Sequence, residues 1–371
     1  MEEESVISKT NQAEVICKQC GAKLVFKPGT THLKCEYCGA ENEIHVEPTV
    51  IEEMDFDKFI SEHSDTLPKH QVSTVRCEAC GAQTTFDSNV VSELCPFCGS
   101  VLVIKNSEVQ NIIKPWSVLP FKIDAQKAFA DFRLWLKKLW FAPSKLRKYA
   151  TQQEKLKGLY IPYWTYDSNT TTQYKGMRGI DYTETVTYTT TENGRTVTKT
   201  RPVTKTRWTP VSGTVQVNFD DILVLASKSL PQKYTDKLEP WNLSELLPFD
   251  EKFLSGFRTE TYQVDVKEGF EIGKEKMNTL IREAIRQQIG GDHQQINSMN
   301  VKHENVTFKN ILLPVWISAY RYKNKVYQFL VNGQTGEVQG ERPWSWAKIT
   351  LAVLAGLIII GIIIYFASKK G

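Results

Sequence analysis

Four C-x-x-C pairs, which hold all eight cysteines of the chain, constrain its fold more than any other feature. The pairs form two matching sets, and in each set 14 residues separate the first pair from the second. This spacing is typical of a zinc ribbon, in which two hairpin tips each supply two thiolates to one tetrahedral Zn²⁺. The sequence therefore predicts two zinc ribbons, and the predicted metal ligands are Cys17, Cys20, Cys35 and Cys38 in the first and Cys77, Cys80, Cys95 and Cys98 in the second.

The residues around the cysteines favour metal binding over the alternatives. A glycine follows the second cysteine of every pair, as expected where the backbone turns with positive φ and its N–H groups approach the sulfurs. Disulfides would suit a small secreted module, but no secretory signal is visible and no cysteine follows Cys98. A redox C-x-x-C would stand alone in a strand-helix unit. Four thiolates close the coordination of each ion, so both zinc ions are predicted to be structural. His32 and His45 lie near the first set but are predicted to be surface residues and not ligands.

An uncharged apolar run from 349 to 366 predicts a transmembrane helix near the carboxy terminus. At about 1.5 Å per residue the run reaches about 27 Å, which is close to the thickness of a hydrocarbon core. Trp344, Trp346 and Tyr365 flank it as interfacial anchors do, and a buried core helix would rarely carry isoleucine on every side. Because reduced, metal-binding thiols belong in the cytosol, we expect a single-pass cell-membrane protein whose amino-terminal body is cytoplasmic and whose carboxy terminus lies near the outer face.

The length of 371 residues predicts several folded units. A hydrophobic fraction of 41% is ordinary for a globular protein, and a net charge of +4 does not indicate a nucleic-acid binder. Residues 41–65 are acidic and predict a linker with one short helical turn, which tethers the two ribbons apart. The predicted domains are zinc ribbon 1 at 14–46, an acidic linker at 47–71, zinc ribbon 2 at 72–106, an α+β body at 107–345 and the transmembrane helix at 346–368.

Within the body, three helices are predicted. Asp124 is the predicted N-cap of a helix over 124–141, with Pro143 ending it, and a second helix is predicted over 144–156. Residues 274–289 predict an amphipathic helix that ends at a glycine pair. In the first helix, five apolar residues stand at helical spacing: Phe129, Phe132, Leu136, Leu139 and Trp140.

Other patterns predict antiparallel strands. Between 165 and 225 threonine alternates with valine and tyrosine, and Asn193-Gly194 at the middle predicts the turn of a long, threonine-rich hairpin that is polar on both faces. Three short strands over 319–343 are predicted to be joined by turns at Lys323-Asn324 and Asn332-Gly333. The fold class is therefore multidomain, with two small β zinc ribbons, an α+β body and one transmembrane helix.

A hydrophobic-Pro-x-Trp pattern occurs twice, at 161–164 and at 313–316. Duplication of a structural unit would explain it. So would two unrelated edge strands that each begin with proline and bury a tryptophan.

No catalytic motif is found in the chain. The phosphate-binding G-x-x-x-x-G-K-[ST] is absent, as are G-x-G-x-x-G and G-x-S-x-G, and His303-Glu304 has Thr307 where the second histidine of H-E-x-x-H must stand. We therefore expect a binding protein and no enzyme activity.

Two kinds of target remain open for the basic helices at 124–157, which mix lysine and arginine with tryptophan. The two targets are nucleic acid, whose phosphates and bases these side chains could contact, and the anionic inner face of the bilayer. A third alternative is that these are core helices with a solvated basic side and no such target. The second ribbon has no basic residue between its cysteines and the linker is acidic, so a continuous positive track is not expected.

Several motifs together with the paired ribbons carry a resemblance to a known family: residues 115–121 (PWSVLPF), 132–143 (FRLWLKKLWFAP), 156–164 (LKGLYIPYW) and the terminal apolar run. The chain resembles a bacterial family of membrane-anchored proteins with TFIIB-type zinc ribbons, whose members are often labelled primosomal protein N′-like helicases or phage replication proteins. The resemblance implies the eight cysteine ligands and a link to membrane stress, with a second membrane protein and SPFH-like or phage-shock-type proteins as partners. Helicase activity is not implied, because the motor motifs are absent.

The sequence thus predicts a membrane-tethered adaptor or scaffold that holds two structural zinc ions and binds protein partners at the inner membrane surface. The alternative is a membrane-anchored nucleic-acid-binding protein of replication type without helicase activity.

Overall fold

The computed structural model describes residues 15–46, 51–61, 69–85, 92–103, 108–143, 156–192, 194–322, 325–341 and 344–368. All eight cysteines lie within these ranges. The helix predicted over 144–156 lies outside them except for its last residue, as do Asn193, Lys323 and Asn324 of two predicted turns.

The described residues form 17 strands and five α-helices. The strands are β1 (Leu24–Phe26), β2 (His32–Cys35), β3 (Glu41–Glu43), β4 (Met54–Asp55), β5 (Lys69–Arg76), β6 (Gln83–Thr85), β7 (Ser92–Leu94), β8 (Val101–Val103), β9 (Glu108–Ile113), β10 (Ser117–Val118), β11 (Lys157–Glu192), β12 (Arg195–Leu225), β13 (Leu247–Pro248), β14 (Arg258–Thr259), β15 (His293–Tyr322), β16 (Lys325–Asn332) and β17 (Val338–Gly340). The helices are α1 (Phe56–Ser61), α2 (Ala125–Lys138), α3 (Gln232–Thr235), α4 (Val266–Ile289) and α5 (Trp346–Ser368).

A nine-stranded sheet forms the centre of the body. Its main path runs β12-β11-β15-β10-β13, with β14 beside β11, β4 and β16 beside β15, and β17 beside β16. Most of these pairs are antiparallel, as predicted, but β10 with β15 and β11 with β14 are parallel, so the sheet is mixed. The first cysteine set lies in the sheet β1-β2-β3, and the second lies between the sheets β6-β5-β9 and β7-β8.

The predicted long hairpin is confirmed. β11 and β12 pair without interruption from Ser168 to Glu192, and β15 pairs along the other side of β11 as far as Gly179. Beyond Gly179, the described residues of β11 and β12 pair only with each other, and we call the part formed by residues 180–207 the arm. About 13 residues per strand at about 3.3 Å each make the arm about 40 Å long.

The repeated Pro-x-Trp segments lie side by side in the middle of the sheet. Pro162 in β11 stands opposite Leu312 in β15, and Pro314 in β15 stands opposite Tyr160 in β11. Neither strand is an edge strand, which is the position that proline usually takes. Each proline instead lies where its strand exchanges one neighbour for another: β14 gives way to β12 at Pro162, and β10 gives way to β16 at Pro314.

Two chain segments have the same arrangement of elements, namely β10–α2–β11–β12 and β14–α4–β15–β16. In each, an aspartate N-cap follows the short strand by six residues and accepts a hydrogen bond from the backbone N–H three positions later: Asp124 from Lys127, and Asp265 from Glu268. The structure therefore supports duplication of a unit over two unrelated strands.

The two units exchange contacts across the sheet. β10 of the first unit pairs with β15 of the second, and β14 of the second pairs with β11 of the first. The indole N–H of Trp164 donates to the carbonyl oxygen of Val264 at 2.9 Å, and that of Trp316 donates to the carbonyl oxygen of Ile123 at 3.1 Å. Val264 directly precedes the N-cap of α4, and Ile123 directly precedes the N-cap of α2. Each tryptophan therefore fixes the start of the helix that belongs to the other unit.

Helix α2 has the predicted N-cap but ends three residues earlier than predicted, at Lys138. Phe132 is buried and stacks on Phe329 of β16 with ring centroids 4.0 Å apart. Leu136 and Leu139 are also buried. Trp140, which the sequence placed inside the helix, instead follows the helix end and is 79% exposed.

Helix α4 begins eight residues before the predicted start. Gly269 and Gly273 lie in its first turns and weaken the helical signal in the sequence. A Cβ at Gly269 would lie 2.4 Å from the hydroxyl oxygen of Tyr166, which donates to the carbonyl oxygen of Val266. The glycine is therefore required for close packing of the helix on β11.

Residues 51–61, which the sequence assigns to the acidic linker, instead pack on the body. Met54 and Asp55 form β4 and pair with Phe308 and Thr307 of β15. Phe56 and Phe59 of α1 both contact the ring of Phe308. The apolar side chains within this acidic segment explain the difference, because they find a buried aromatic cluster to cover.

Helix α5 confirms the predicted apolar carboxy-terminal helix. It is long and apolar enough to cross a membrane, and none of its apolar window is buried against the described parts of the chain. The alternative of a buried core helix is therefore wrong.

Candidate metal centres

Each C-x-x-C-G segment folds into the same tight turn. The N–H of the glycine donates to the carbonyl oxygen of the first cysteine at 2.7–3.0 Å in all four turns. The φ angles of the glycines are positive, as predicted, and a Cβ built on any of them would meet no atom within 4 Å. The backbone conformation, and not lack of space, therefore requires glycine at Gly21, Gly39, Gly81 and Gly99.

The turns bring the four sulfurs of each set together. The Sγ atoms of Cys17 and Cys38 are 3.6 Å apart, and those of Cys20 and Cys35 are 3.5 Å apart. In the second set the corresponding distances are 3.6 Å for Cys77 and Cys98 and 3.7 Å for Cys80 and Cys95. Within each set all four sulfurs lie within 4.8 Å of one another.

These distances fit a metal ion and not a covalent bond. Four thiolates at about 2.3 Å from a tetrahedral ion lie about 3.8 Å from one another, whereas a disulfide joins its sulfurs at about 2.0 Å. All eight cysteines are free. The two four-cysteine clusters could therefore bind two metal ions, one each.

Within each cluster neighbouring sulfurs share hydrogen bonds, so the pKa of some thiols is lowered and that of others is raised. A backbone hydrogen bond from Cys38 lowers the pKa of the Cys35 thiol to about 6, and one from Gln19 lowers the pKa of Cys17. In the second cluster the hydrogen bond with Cys95 lowers the pKa of Cys80 to about 5. Each cluster thus stabilises at least one negative sulfur before any metal binds.

The first cluster is held against the body by its own hairpin. Phe26 of β1 is buried, and its ring centroid lies 5.3 Å from that of Phe253. The hydroxyl of Ser255 donates to the carbonyl oxygen of Leu24, and the N–H of Gly29 donates to the carbonyl oxygen of Phe121 at 2.8 Å. The first cluster is therefore attached to the body, a contact that the sequence did not predict.

The second cluster is docked as well, at a different place. Phe97, between Cys95 and Cys98, is completely buried, and its carbonyl oxygen accepts a hydrogen bond of 2.6 Å from the side chain of Gln328. Thr85 of β6 donates to the carbonyl oxygen of Thr259 at 3.2 Å. Both clusters are thus fixed on one framework.

One face of each cluster remains open to solvent. Cys17, Cys35, Cys77 and Cys95 are buried against their hairpins, whereas Cys20, Cys38 and Cys80 are exposed. The knuckle around Cys38 also presents Tyr37, which is 86% exposed. The docked clusters therefore keep an outer surface that a partner could contact.

A buried carboxyl group lies beside the second cluster. Glu260 is 1% exposed, forms a backbone bridge with Thr84 of β6, and accepts hydrogen bonds from the Ser229 hydroxyl and the Gln263 amide. Burial raises the pKa of this carboxyl to about 8. This carboxyl group could not be recognised from the sequence, because a single glutamate in a polar stretch has no motif.

A second feature missed from the sequence is a charged network around Lys309. Its ammonium nitrogen lies 2.9 Å from a carboxylate oxygen of Glu53 and 2.7 Å from one of Asp221. Asp167 faces Glu53, and burial is the main cause that raises its pKa to about 6. Asp167, Asp220 and Asp221 are close enough to hold a cation, but Lys309 already supplies the positive charge. We interpret the network as the attachment of residues 51–61 to the body.

Comparison with known proteins gives one full-length similarity. The chain is 29% identical over 345 residues to the uncharacterized protein YdjG of Bacillus subtilis (strain 168), covering 90% of this chain and 91% of that protein. No protein-family model matches the sequence, and no solved structure matches it.

Proposed function

We propose that this protein is a membrane-tethered adaptor, and not an enzyme, that binds protein partners at the inner surface of the cell membrane. The observation that carries the proposal is the docking of two closed four-cysteine clusters on a single framework that continues into an apolar helix. A cluster that offers four sulfurs to one ion leaves no position for substrate or water, so its role is structural.

We propose zinc as the metal in both clusters. Four thiolates at tetrahedral spacing suit Zn²⁺, and the C-x-x-C-G turns are those of zinc ribbons. In this reading zinc holds each hairpin in the shape that packs Phe26 and Phe97 into the body. The ions thereby support the outer surfaces of the clusters, which are the first candidate docking surfaces.

The arm is the second candidate docking surface, because its two faces differ in chemistry. Beyond the pair Asp181 and Thr206, one face consists of nine threonines and one proline, all exposed: Thr183, Thr185, Thr187, Thr189, Thr191, Thr196, Thr198, Thr200, Pro202 and Thr204. The other face carries tyrosines and cations, with Arg201 over the ring of Tyr188 and Arg207 over that of Tyr182. A two-stranded arm that buries neither face is stabilised further when a partner covers one of them.

Helix α5 is proposed to span the membrane once, with the body on the cytoplasmic side, where cysteines stay reduced. The family resemblance suggests a second membrane protein and SPFH-like or phage-shock-type proteins as the partners.

Metal content and metal removal test the role of the clusters. The full-length protein purified in mild detergent should contain two zinc ions per chain, and the paired substitution Cys35→Ser, Cys38→Ser should remove one of them. Because structural zinc contributes a large part of the stability of so small a unit, a chelator should make 15–46 and 77–103 sensitive to protease while 156–341 stays resistant. An unchanged cleavage pattern after complete metal loss would contradict this role.

Shortening the arm tests the docking surface. Residues 183–204 can be replaced by Asn-Gly, because Tyr182 and Lys205 are already cross-strand partners and the shorter hairpin can close. We expect the shortened chain to keep two zinc ions and to lose the membrane proteins that co-purify with the full-length chain after nuclease treatment at moderate salt. Equal recovery of those proteins by both chains would show that the arm is not the docking surface.

Binding of nucleic acid is the second candidate function, and the basic side chains of the arm favour it. The described part of β12 within the arm carries Arg195, Lys199, Arg201, Lys205 and Arg207. Phosphate contacts weaken steeply between about 50 and 200 mM salt, whereas a protein interface with an apolar core varies much less. Nucleic acid as the main co-purifying species, released by raising the salt, would favour this candidate over the adaptor.

A further inference from the structure

The end of α2 is attached to the start of the apolar helix α5. The N–H of Ser345 donates to the carbonyl oxygen of Phe141 at 2.7 Å, and the ammonium group of Lys348 donates to the carbonyl oxygen of Ala142 at 2.7 Å. The rings of Phe141 and Trp344 also lie against each other, with centroids 6.5 Å apart. Residues 139–143 therefore lie at the level of the first turn of α5, at the end of that helix which would enter a membrane.

Apolar side chains are exposed at this junction. Trp140 is 79% exposed and Trp346 is 78% exposed, and Leu134, on the outer side of α2, is 55% exposed. The buried side of the same helix is occupied by Phe132 and Leu136, so the outer side chains are not needed for the core. Tryptophan at the first turn of a membrane helix is typical of the headgroup level of a bilayer.

The same surface is basic. Arg133, Lys137 and Lys138 are exposed on the outer side of α2. No acidic residue occurs between 132 and 143, and Asp131, just before, is paired with Lys127 one turn back. Cations beside exposed indole and leucine are the chemistry of a surface that binds anionic lipid headgroups.

We infer that the end of α2 (residues 133–141) docks on the anionic headgroup layer of the bilayer that holds α5. The inference rests on the proposed membrane anchoring and adds a second contact to it. A single helix would leave the body free to rotate and tilt, whereas two contacts with the membrane hold it in one orientation. The clusters and the arm would then face partners at a defined angle to the membrane.

Fluorine NMR on the full-length chain can test the docking. The protein is labelled with 5-fluorotryptophan and placed in nanodiscs that contain phosphatidylglycerol and a lipid with a nitroxide on its headgroup. The substitutions Trp140→Phe, Trp346→Phe and Trp208→Phe assign the three signals. We expect the nitroxide to broaden the signals of Trp140 and Trp346 several-fold more than that of Trp208, which lies in β12 away from the junction.

Each outcome separates the docking from the anchoring. If the signal of Trp346 is broadened while that of Trp140 behaves like that of Trp208, the anchor is present and the docking is wrong. If the signal of Trp346 is not broadened, the anchoring fails and the docking fails with it.

The charge of the surface is tested separately. The double substitution Lys137→Glu, Lys138→Glu should reduce the broadening of the Trp140 signal at least twofold and leave that of Trp346 unchanged, and removal of phosphatidylglycerol should do the same to the unsubstituted chain. Lys127→Glu, on the same helix but nearly two turns before the surface, is the control for position and should have no such effect. Broadening that depends on neither change would overturn the anionic preference.

Discussion

Replacement of Glu260 by glutamine should remove a pH dependence from the stability of the body. The pKa of this buried carboxyl is raised from 4.5 to about 8, with burial as the main cause. Between these two values the folded state holds a proton that the unfolded state has released, so stability is greatest below the unfolded value and falls as the pH rises toward 8. One pKa unit corresponds to about 1.4 kcal/mol, so the wild-type chain should lose about 3 kcal/mol between pH 5.5 and 7.5 from this group alone.

Glu260→Gln keeps an oxygen that can accept from the Ser229 hydroxyl but cannot ionise. The free energy of unfolding of the substituted chain, relative to wild type, should therefore rise by about 3 kcal/mol from pH 5.5 to 7.5. Urea unfolding in detergent with zinc present, followed by tryptophan fluorescence, measures this difference, and the titration of the cysteines cancels between the two chains. Glu268→Gln, which removes a half-exposed carboxylate paired with Lys228, is the control for net charge. Parallel stability curves for wild type and Glu260→Gln would refute the reasoning.

Substitutions at two sites test the packing of the body. Gly269→Ala should destabilise the fold by about 1 to 3 kcal/mol, because its Cβ would meet the Tyr166 hydroxyl. Gly273→Ala, whose Cβ would lie 3.4 Å from the ring of Tyr166, should be neutral or stabilising by up to about 1 kcal/mol. Thermal unfolding compares the pair, and equal effects would contradict the close-packing account. Lys309→Met should cost about 3 to 5 kcal/mol, because Glu53 and Asp221 lose their counter-charge, and limited proteolysis should then cleave within 51–61. An intact 51–61 segment in this variant would show that the ion pairs do not hold it.

The features that could be predicted from the sequence depend on neighbours along the chain. The cysteine pairs were recognisable because each pair and its glycine form one local turn, and the N-cap at Asp124 needed only the three residues after it. The hairpin was recognisable for the same reason, since alternation continues through both of its strands.

The features that could not be predicted depend on distant neighbours. The start of α4 was hidden because Gly269 looks like a helix breaker until Tyr166, about a hundred residues earlier, is placed beneath it. The packing of the linker segment on the body was not predicted because Met54 and Phe56 find their partner at Phe308, and the attachment of both clusters to the body includes contacts between residues more than 170 positions apart. Charge composition alone cannot reveal such contacts.

The crossed pairing of the two duplicated units has a consequence for how the fold could have arisen. A chain that carried only one unit would have a short strand without its partner and a tryptophan whose N–H had no carbonyl to reach. A second copy of the same chain would supply both, in the same way that identical protomers exchange elements in a domain swap. The body can therefore be viewed as two domain-swapped halves joined in one polypeptide, with the arm in the hairpin of one half and the apolar helix after the other.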